Sequence, residues 1–146
     1  MVARPALLDV NVLIALFDQN HIHHEIAHDW FADNRHRGWA TCPITESGFV
    51  RIISNPTTGR SERPGTIVRY LRGFCAGKGH RFWAASLSLR DHRVFDLSFA
   101  THRLLTDVYL LGLARVNGGT LATFDRAIPF KAVVDASPDV LEVIGG

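Results

Sequence analysis

Ala6-Leu7-Leu8-Asp9-Val10-Asn11-Val12-Leu13-Ile14 is the stretch on which the fold turns. Ala6 to Val10 is short and, apart from Asp9, apolar, so it predicts a buried strand. Asn11 to Asp18 then predicts a helix, although so short an apolar run separates poorly from a strand. Working outward, the same alternation recurs. His23 to His36 carries Ile26, Ala27, Trp30 and Phe31 at helical spacing. Trp39 to Cys42 reads as a strand, and Pro43 stands where a helix can begin without needing its missing amide proton. Glu46, Phe49, Val50 and Ile53 then mark one helix face, with Ser47, Arg51 and Ser54 opposite. Asn-Pro, Gly and Pro-Gly between Ser54 and Gly65 predict a surface loop. Ile67 to Ala76 predicts a further helix, and Arg81 to Ala84 a candidate strand. Asp91 to Ser98 is ambiguous. Leu104 to Val116 is the clearest helix, closed by the stop signal Asn117-Gly118-Gly119. Thr120 to Thr123 and Val140 to Ile144 complete the strands. Strands alternating with helices imply an α/β sandwich with a mainly parallel sheet. Such folds place their sites at the carboxyl ends of the strands.

The chain has 146 residues, enough to bury a core without disulfide or metal staples, and is expected to be a single domain over 1–146. Apolar residues make up 47% and charged residues 21%, which excludes wholesale disorder. A net charge of +2 permits a nucleic-acid partner without demanding one. Cys42 and Cys75 form no metal-spaced pair, so a reducing cytoplasm is expected and a disulfide framework is not. The longest apolar run, Val10 to Phe17, is far short of the ~20 residues that span a bilayer, so no membrane association is expected. Asp9 splits Leu7-Leu8 from that run, which argues against a signal peptide.

The informative anomalies are acids inside apolar patterns. Asp9 ends the first strand. Glu46 shares its helix face with Phe49, Val50 and Ile53. Asp107 shares a face with Leu104, Leu110, Leu111 and Ala114, and Asp125 follows Leu121-Ala122-Thr123-Phe124 just past a strand. A carboxylate facing a core is costly unless paired, hydrogen-bonded or metal-bound. No Lys or Arg recurs on these faces. Carboxylates brought together repel, raising their pKa values or demanding a cation. A hard divalent ion, Mg²⁺ or Mn²⁺, resolves both difficulties and suits phosphodiester hydrolysis. Each acid also has a plain reading. Asp9 fits a helix N-cap, Glu46 an exposed helix position, Asp107 a helix start favoured by the macrodipole, and Asp125 an Asx turn.

At these residues the sequence resembles the PIN-domain family and, within it, the VapC-type ribonuclease toxins of toxin–antitoxin pairs. The resemblance lies in Leu7 to Ile14, in Thr45-Glu46-Ser47-Gly48-Phe49-Val50-Arg51, in Thr106-Asp107-Val108-Tyr109-Leu110-Leu111-Gly112-Leu113-Ala114, and in Gly118-Gly119-Thr120-Leu121-Ala122-Thr123-Phe124-Asp125. It implies a PIN-like three-layer α/β/α sandwich and a Mg²⁺- or Mn²⁺-dependent endoribonuclease. The implied acidic quartet is Asp9, Glu46, Asp107 and Asp125. Asp9, Asp107 and Asp125 would hold the metal, with Glu46 a further ligand directly or through water. Asn11 and Thr123 are the implied supporting polar residues, Asn11 standing where Ser or Thr is usual. A homodimer and a VapB-like protein antitoxin that blocks the site are expected partners, with RNA the substrate. Ala85 to Arg103 matches no motif.

RNA phosphates need cations around an acidic pocket. Arg60, Arg63, Arg69, Arg72, Lys78, His80 and Arg81 are candidates, and Trp39, Phe82 and Trp83 are candidates for base stacking. Two rival readings remain at this level. His24-Glu25-Ile26-Ala27-His28 matches the His-Glu-x-x-His pattern of zinc peptidases, in which two histidines bind Zn²⁺ and the Glu is general base. That pattern still needs a third protein ligand, and a polar helix face explains it more simply. The other rival is a non-catalytic RNA-binding module, against which the complete quartet argues.

Overall fold

The computed structural model describes residues 3–145. Five strands form one parallel sheet: β1 (Ala6–Leu8), β2 (Trp39–Thr41), β3 (His80–Phe82), β4 (Thr120–Thr123) and β5 (Leu141–Val143). Their order is β3-β2-β1-β4-β5. Ala6 registers with Trp39 on one side and Thr120 on the other, Thr41 with Phe82, and Ala122 with Glu142. The chain therefore builds outward from β1 to β3, then crosses back to lay β4 against the other side of β1. The seam between β1 and β4, where the strand order reverses, is the place where open parallel sheets leave a crevice beyond their strand ends.

Five helices flank the sheet: α1 (Val10–Phe17), α2 (His24–Asn34), α3 (Pro43–Ile53), α4 (Pro64–Cys75) and α5 (Leu105–Val116). Strand side chains alternate between faces, and the core divides accordingly. Leu7, Ala40 and Leu121 point to the layer of α5, packing with Val108, Leu110, Leu111 and Ala114. Ala6, Leu8, Trp39 and Ala122 point to the layer of α1, α3 and α4, packing with Val12, Leu13, Phe49, Ile53, Ile67 and Leu71. The result is the expected three-layer α/β/α sandwich.

The differences from the sequence reading are local and have causes. The first strand stops at Leu8 because Asp9 already caps α1, its side chain accepting from the Val10 amide at 2.8 Å. The fourth helix begins at Pro64, three residues before the predicted Ile67, because Pro64 takes the first helical position. Trp39 and Trp83 are core residues, 1% and 8% exposed, so neither can stack a base. Trp39 packs against Phe31, Phe74 and His80. Of the apolar residues at helical spacing in α2, Ala27 is buried but Ile26 is exposed.

The segment that matched no motif is a cover for α5. It contains a turn at Asp91, a single bridge from Phe95 to Val133 and a short 3-10 turn at Leu97–Phe99. Phe95 is 4% exposed, and its ring lies where a side chain on Gly112 would stand, 2.4 Å from an ideal Cβ. Glycine at 112 is thus required by close approach rather than by backbone angle.

Candidate active site

At the ends of β1 and β4, acids from three parts of the chain come near enough for their charges to act on one another, although their oxygens do not all lie within 4.8 Å. Asp9 follows β1 directly, Asp125 lies two residues beyond β4, and Asp107 sits in the first turn of α5. Asp9 is 6% exposed. Its Oδ1 accepts from the Val10 amide and its Oδ2 from the Thr123 hydroxyl at 2.7 Å. Thr123 Oγ1 in turn accepts from the Asp125 amide at 3.1 Å. One buried hydroxyl, at the last residue of β4, thereby sets both Asp9 and the backbone that carries Asp125. Asp125 Oδ1 accepts from the Ala127 amide at 2.8 Å, closing an Asx turn. The capping and turn readings of Asp9 and Asp125 are both present, and they coexist with the convergence of the acids.

The electrostatics show the strain of that convergence. Burial raises the Asp9 carboxyl above its ordinary value, outweighing the hydrogen bonds from Thr123 and Val10, and the charge of Asp125 adds to the rise. Asp107 is pushed up to about 6, first by burial, then by Asp9 and then by Asp125. Among the described residues no Lys or Arg forms an ion pair with Asp9, Asp107 or Asp125. Glu142 supplies the contrast. Burial acts to raise it too, but Arg37 grips both of its oxygens at 2.8 and 2.9 Å, and Thr120 and Trp30 donate to it. Its carboxyl is held below the usual value. This chain neutralises a structural carboxylate with a guanidinium and leaves the crevice acids without one.

Glu46 stands apart from this group. It lies half-buried on α3, and its carboxylate accepts from Thr41 Oγ1 at 2.7 Å. With its proton given to Glu46, Thr41 accepts from His80 Nε2 at 2.8 Å. Ligand atoms of Glu46, Cys75 and His80 lie within 4.8 Å of one another. The charges that act on Asp9 and Asp107 are those of the crevice aspartates, whereas Glu46 acts on Cys75 and His80. Asn11 is exposed in the first turn of α1, and among the described residues it hydrogen-bonds none of the four acids.

Sequence reasoning overlooked the surroundings of Glu46. Cys75 and His80 are separated by four residues, a ligand spacing that was there to be read. Of the basic candidates, Arg60 is engaged with Asp18 at 2.9 Å and Glu62 at 3.3 Å, and lies over the Phe17 ring. Arg63, Arg69, Arg72, Lys78, Arg81 and Phe82 are exposed. The His24-Glu25-x-x-His28 pattern gathers no third ligand among the described residues. His24 Nδ1 is tied to the Ala15 carbonyl at 2.7 Å, and Glu25 and His28 are exposed. No described helix is long and apolar enough to cross a membrane.

Comparison with known proteins agrees with this geometry. Residues 6–135 match the PIN domain. Ribonuclease VapC44 of Mycobacterium tuberculosis is 39% identical over 140 residues, covering 95% of this chain and 99% of that protein. Ribonuclease VapC39 of the same organism is 43% identical over 129 residues, 87% of this chain and 93% of that one. Ribonuclease VapC38 is 44% identical over 128 residues, 84% and 86% of the two chains. With its parallel sheet, its acids gathered at the crossover between β1 and β4, and relatives matched over nearly their whole length, the chain belongs to the PIN-domain family and, within it, to the VapC group.

Proposed function

We propose that this chain is a Mg²⁺- or Mn²⁺-dependent endoribonuclease, a single catalytic domain over 1–146 acting as the toxin of a VapBC-type pair. The observation that carries the reading is a buried Asp9, held by Thr123 and the Val10 amide near Asp107 and Asp125, with no described Lys or Arg paired to any of the three. Oxygen donors that repel one another when empty fit a hard divalent ion. Relatives of similar length that bear the name ribonuclease support the same reading.

Asp9, Asp107 and Asp125 would hold the ion. Glu46 would join as a further ligand, directly or through water, once its carboxylate leaves Thr41. A bound divalent ion supplies positive charge for the phosphoryl oxygens and a water that deprotonates more readily. The protein's own part is positioning. Thr123 and the Val10 amide hold both Asp9 oxygens, and the Asx turn fixes one oxygen of Asp125. Exposed Arg63, Arg69, Arg72, Lys78 and Arg81 offer phosphate contacts, and Phe82 offers a face for a base. A VapB-like antitoxin that covers the site, a homodimeric assembly and a cytoplasmic setting complete the proposal.

The test is cleavage of end-labelled RNA by the purified chain in Mg²⁺ or Mn²⁺. Asp9→Asn should abolish cleavage while the circular dichroism spectrum and melting cooperativity persist. Full activity in that variant, or undiminished activity after chelation, removes the proposal.

A further inference from the structure

We propose that Glu46, Cys75 and His80 form a second metal site, for a borderline-soft divalent cation of the zinc class, with Thr41 at its centre. The three side chains come from α3, the last residue of α4 and the first residue of β3. They bring one oxygen, one sulfur and one nitrogen within 4.8 Å of one another. Tetrahedral zinc with bonds of about 2.0 to 2.3 Å sets its ligand atoms roughly 3.3 to 3.8 Å apart, so shifts of about an ångström close the set. The site is half-buried at all three residues, and the Thr41 hydroxyl that now bridges Glu46 and His80 is fully buried. Thiolate and imidazole select zinc over Mg²⁺, so this site and the aspartate crevice differ in the ion they take.

The Gly77-Lys78-Gly79 turn makes the pairing of Cys75 with His80 possible. The chain must reverse from the end of a helix into a strand within four residues, and Gly79 does so at φ +95°. Binding takes the proton of the Cys75 thiol, which leaves to solvent, and needs a bare nitrogen on His80, so a ring bound through Nε2 moves its proton to Nδ1; a water or the Thr41 hydroxyl fills the fourth position.

The sharing of Glu46 has a regulatory consequence, which rests on the nuclease reading above. A Glu46 carboxylate bound to zinc beside Cys75 is not free to join Asp9, Asp107 and Asp125. Zinc should therefore slow RNA cleavage supported by Mg²⁺.

Cobalt substitution tests the site without any activity. The chelator-stripped full chain is titrated with Co²⁺ and then Zn²⁺, and the thiolate-to-cobalt charge-transfer band is followed. Cys42 is fully buried in the core, so this band reports Cys75. The expected result is a tetrahedral spectrum that zinc displaces, lost in Cys75→Ser and His80→Ala, and kept in Asp9→Asn and His24→Ala. Affinity for zinc in Cys75→Ser should fall at least about tenfold. Melting curves of each variant establish that it is folded, and Glu46→Gln gives a third, nearly isosteric probe whose band should weaken or shift. Absence of the band in the wild-type chain, or its survival in Cys75→Ser, overturns the site. In the cleavage assay zinc should inhibit the wild type and spare Cys75→Ser, each measured against its own zinc-free rate. Inhibition that is equal in both overturns the regulatory part. No zinc-free cleavage in Mg²⁺ or Mn²⁺ refutes the nuclease reading and, with it, the regulatory part, while the cobalt band still decides the metal site.

Discussion

Replacing Asp107 by Asn should stabilise the metal-free protein. The span from the ordinary carboxyl value of 3.8 to about 6 corresponds, at face value, to about 3 kcal/mol of unfavourable free energy at neutral pH. Asp107 is only half-buried, and solvent screening reduces this to about 1.5 kcal/mol. An acid in the first turn of α5 also gains roughly 0.5 kcal/mol from the helix dipole, which Asn forfeits. Burial and repulsion together win, leaving a net gain of about 1 kcal/mol. For a chain of this length that raises Tm by about 3 °C. The sign with pH follows from linkage. The folded carboxyl keeps its proton to higher pH than the unfolded one, so wild-type stability falls as pH rises from about 4 to about 6. The advantage of Asp107→Asn is therefore absent below about pH 4 and complete above about pH 6. Melting in chelator across that range measures it, and a return to Mg²⁺ should stabilise the wild type more than the variant. A variant at neutral pH that melts at or below the wild type in chelator would show that burial and the neighbouring carboxylates do not disfavour the Asp107 charge as described.

Thr123→Val removes the donor that holds Asp9, and cleavage should drop by about ten- to a hundredfold with the weakened metal response of a mispositioned ligand, read as a higher Mg²⁺ requirement. Glu142→Gln breaks the Arg37 pair at 2.8 Å and should cost about 2 kcal/mol in chemical denaturation at neutral pH. Because the Glu142 carboxyl is held low, its contribution is full above about pH 4.5 and fades as pH falls through its folded value, so the gap should narrow in acid. Gly118→Ala and Gly119→Ala should separate two reasons for glycine. Gly118 has φ +72° with open space around it and should cost about 1 kcal/mol, whereas a Cβ on Gly119 meets the Pro5 carbonyl oxygen at 2.3 Å and should cost 2 kcal/mol or more, about. Equal Tm losses would contradict the distinction.

The aspartates of the crevice were legible because each interrupts an apolar pattern where no cation recurs. That signal is local, and the helical and strand periods carry it. The direction in which Glu46 points was not legible. Helical spacing places its Cα beside Phe49 and Ile53, which are indeed buried, but two further torsions decide whether the carboxylate meets Asp9 or Thr41. The Arg37–Glu142 pair was missed for another reason. Its partners are 105 residues apart, Arg37 just before β2 and Glu142 on β5, and only the assembled sheet brings them together. Ile26 shows the limit of periodicity from the other side. The pattern names a helix face, while the neighbours that cover it are set by the tertiary fold.

The crossover between β1 and β4 also orders events during synthesis. A chain still on the ribosome carries Asp9 and Glu46 early, Asp107 and Asp125 come late, and β4 cannot pair with β1 until Thr120 to Thr123 have been made. If the nuclease reading holds, a copy released before Thr120 lacks β4 and Asp125 and has no complete site. Cleavage would then become possible only late in synthesis, once β4 has seated beside β1.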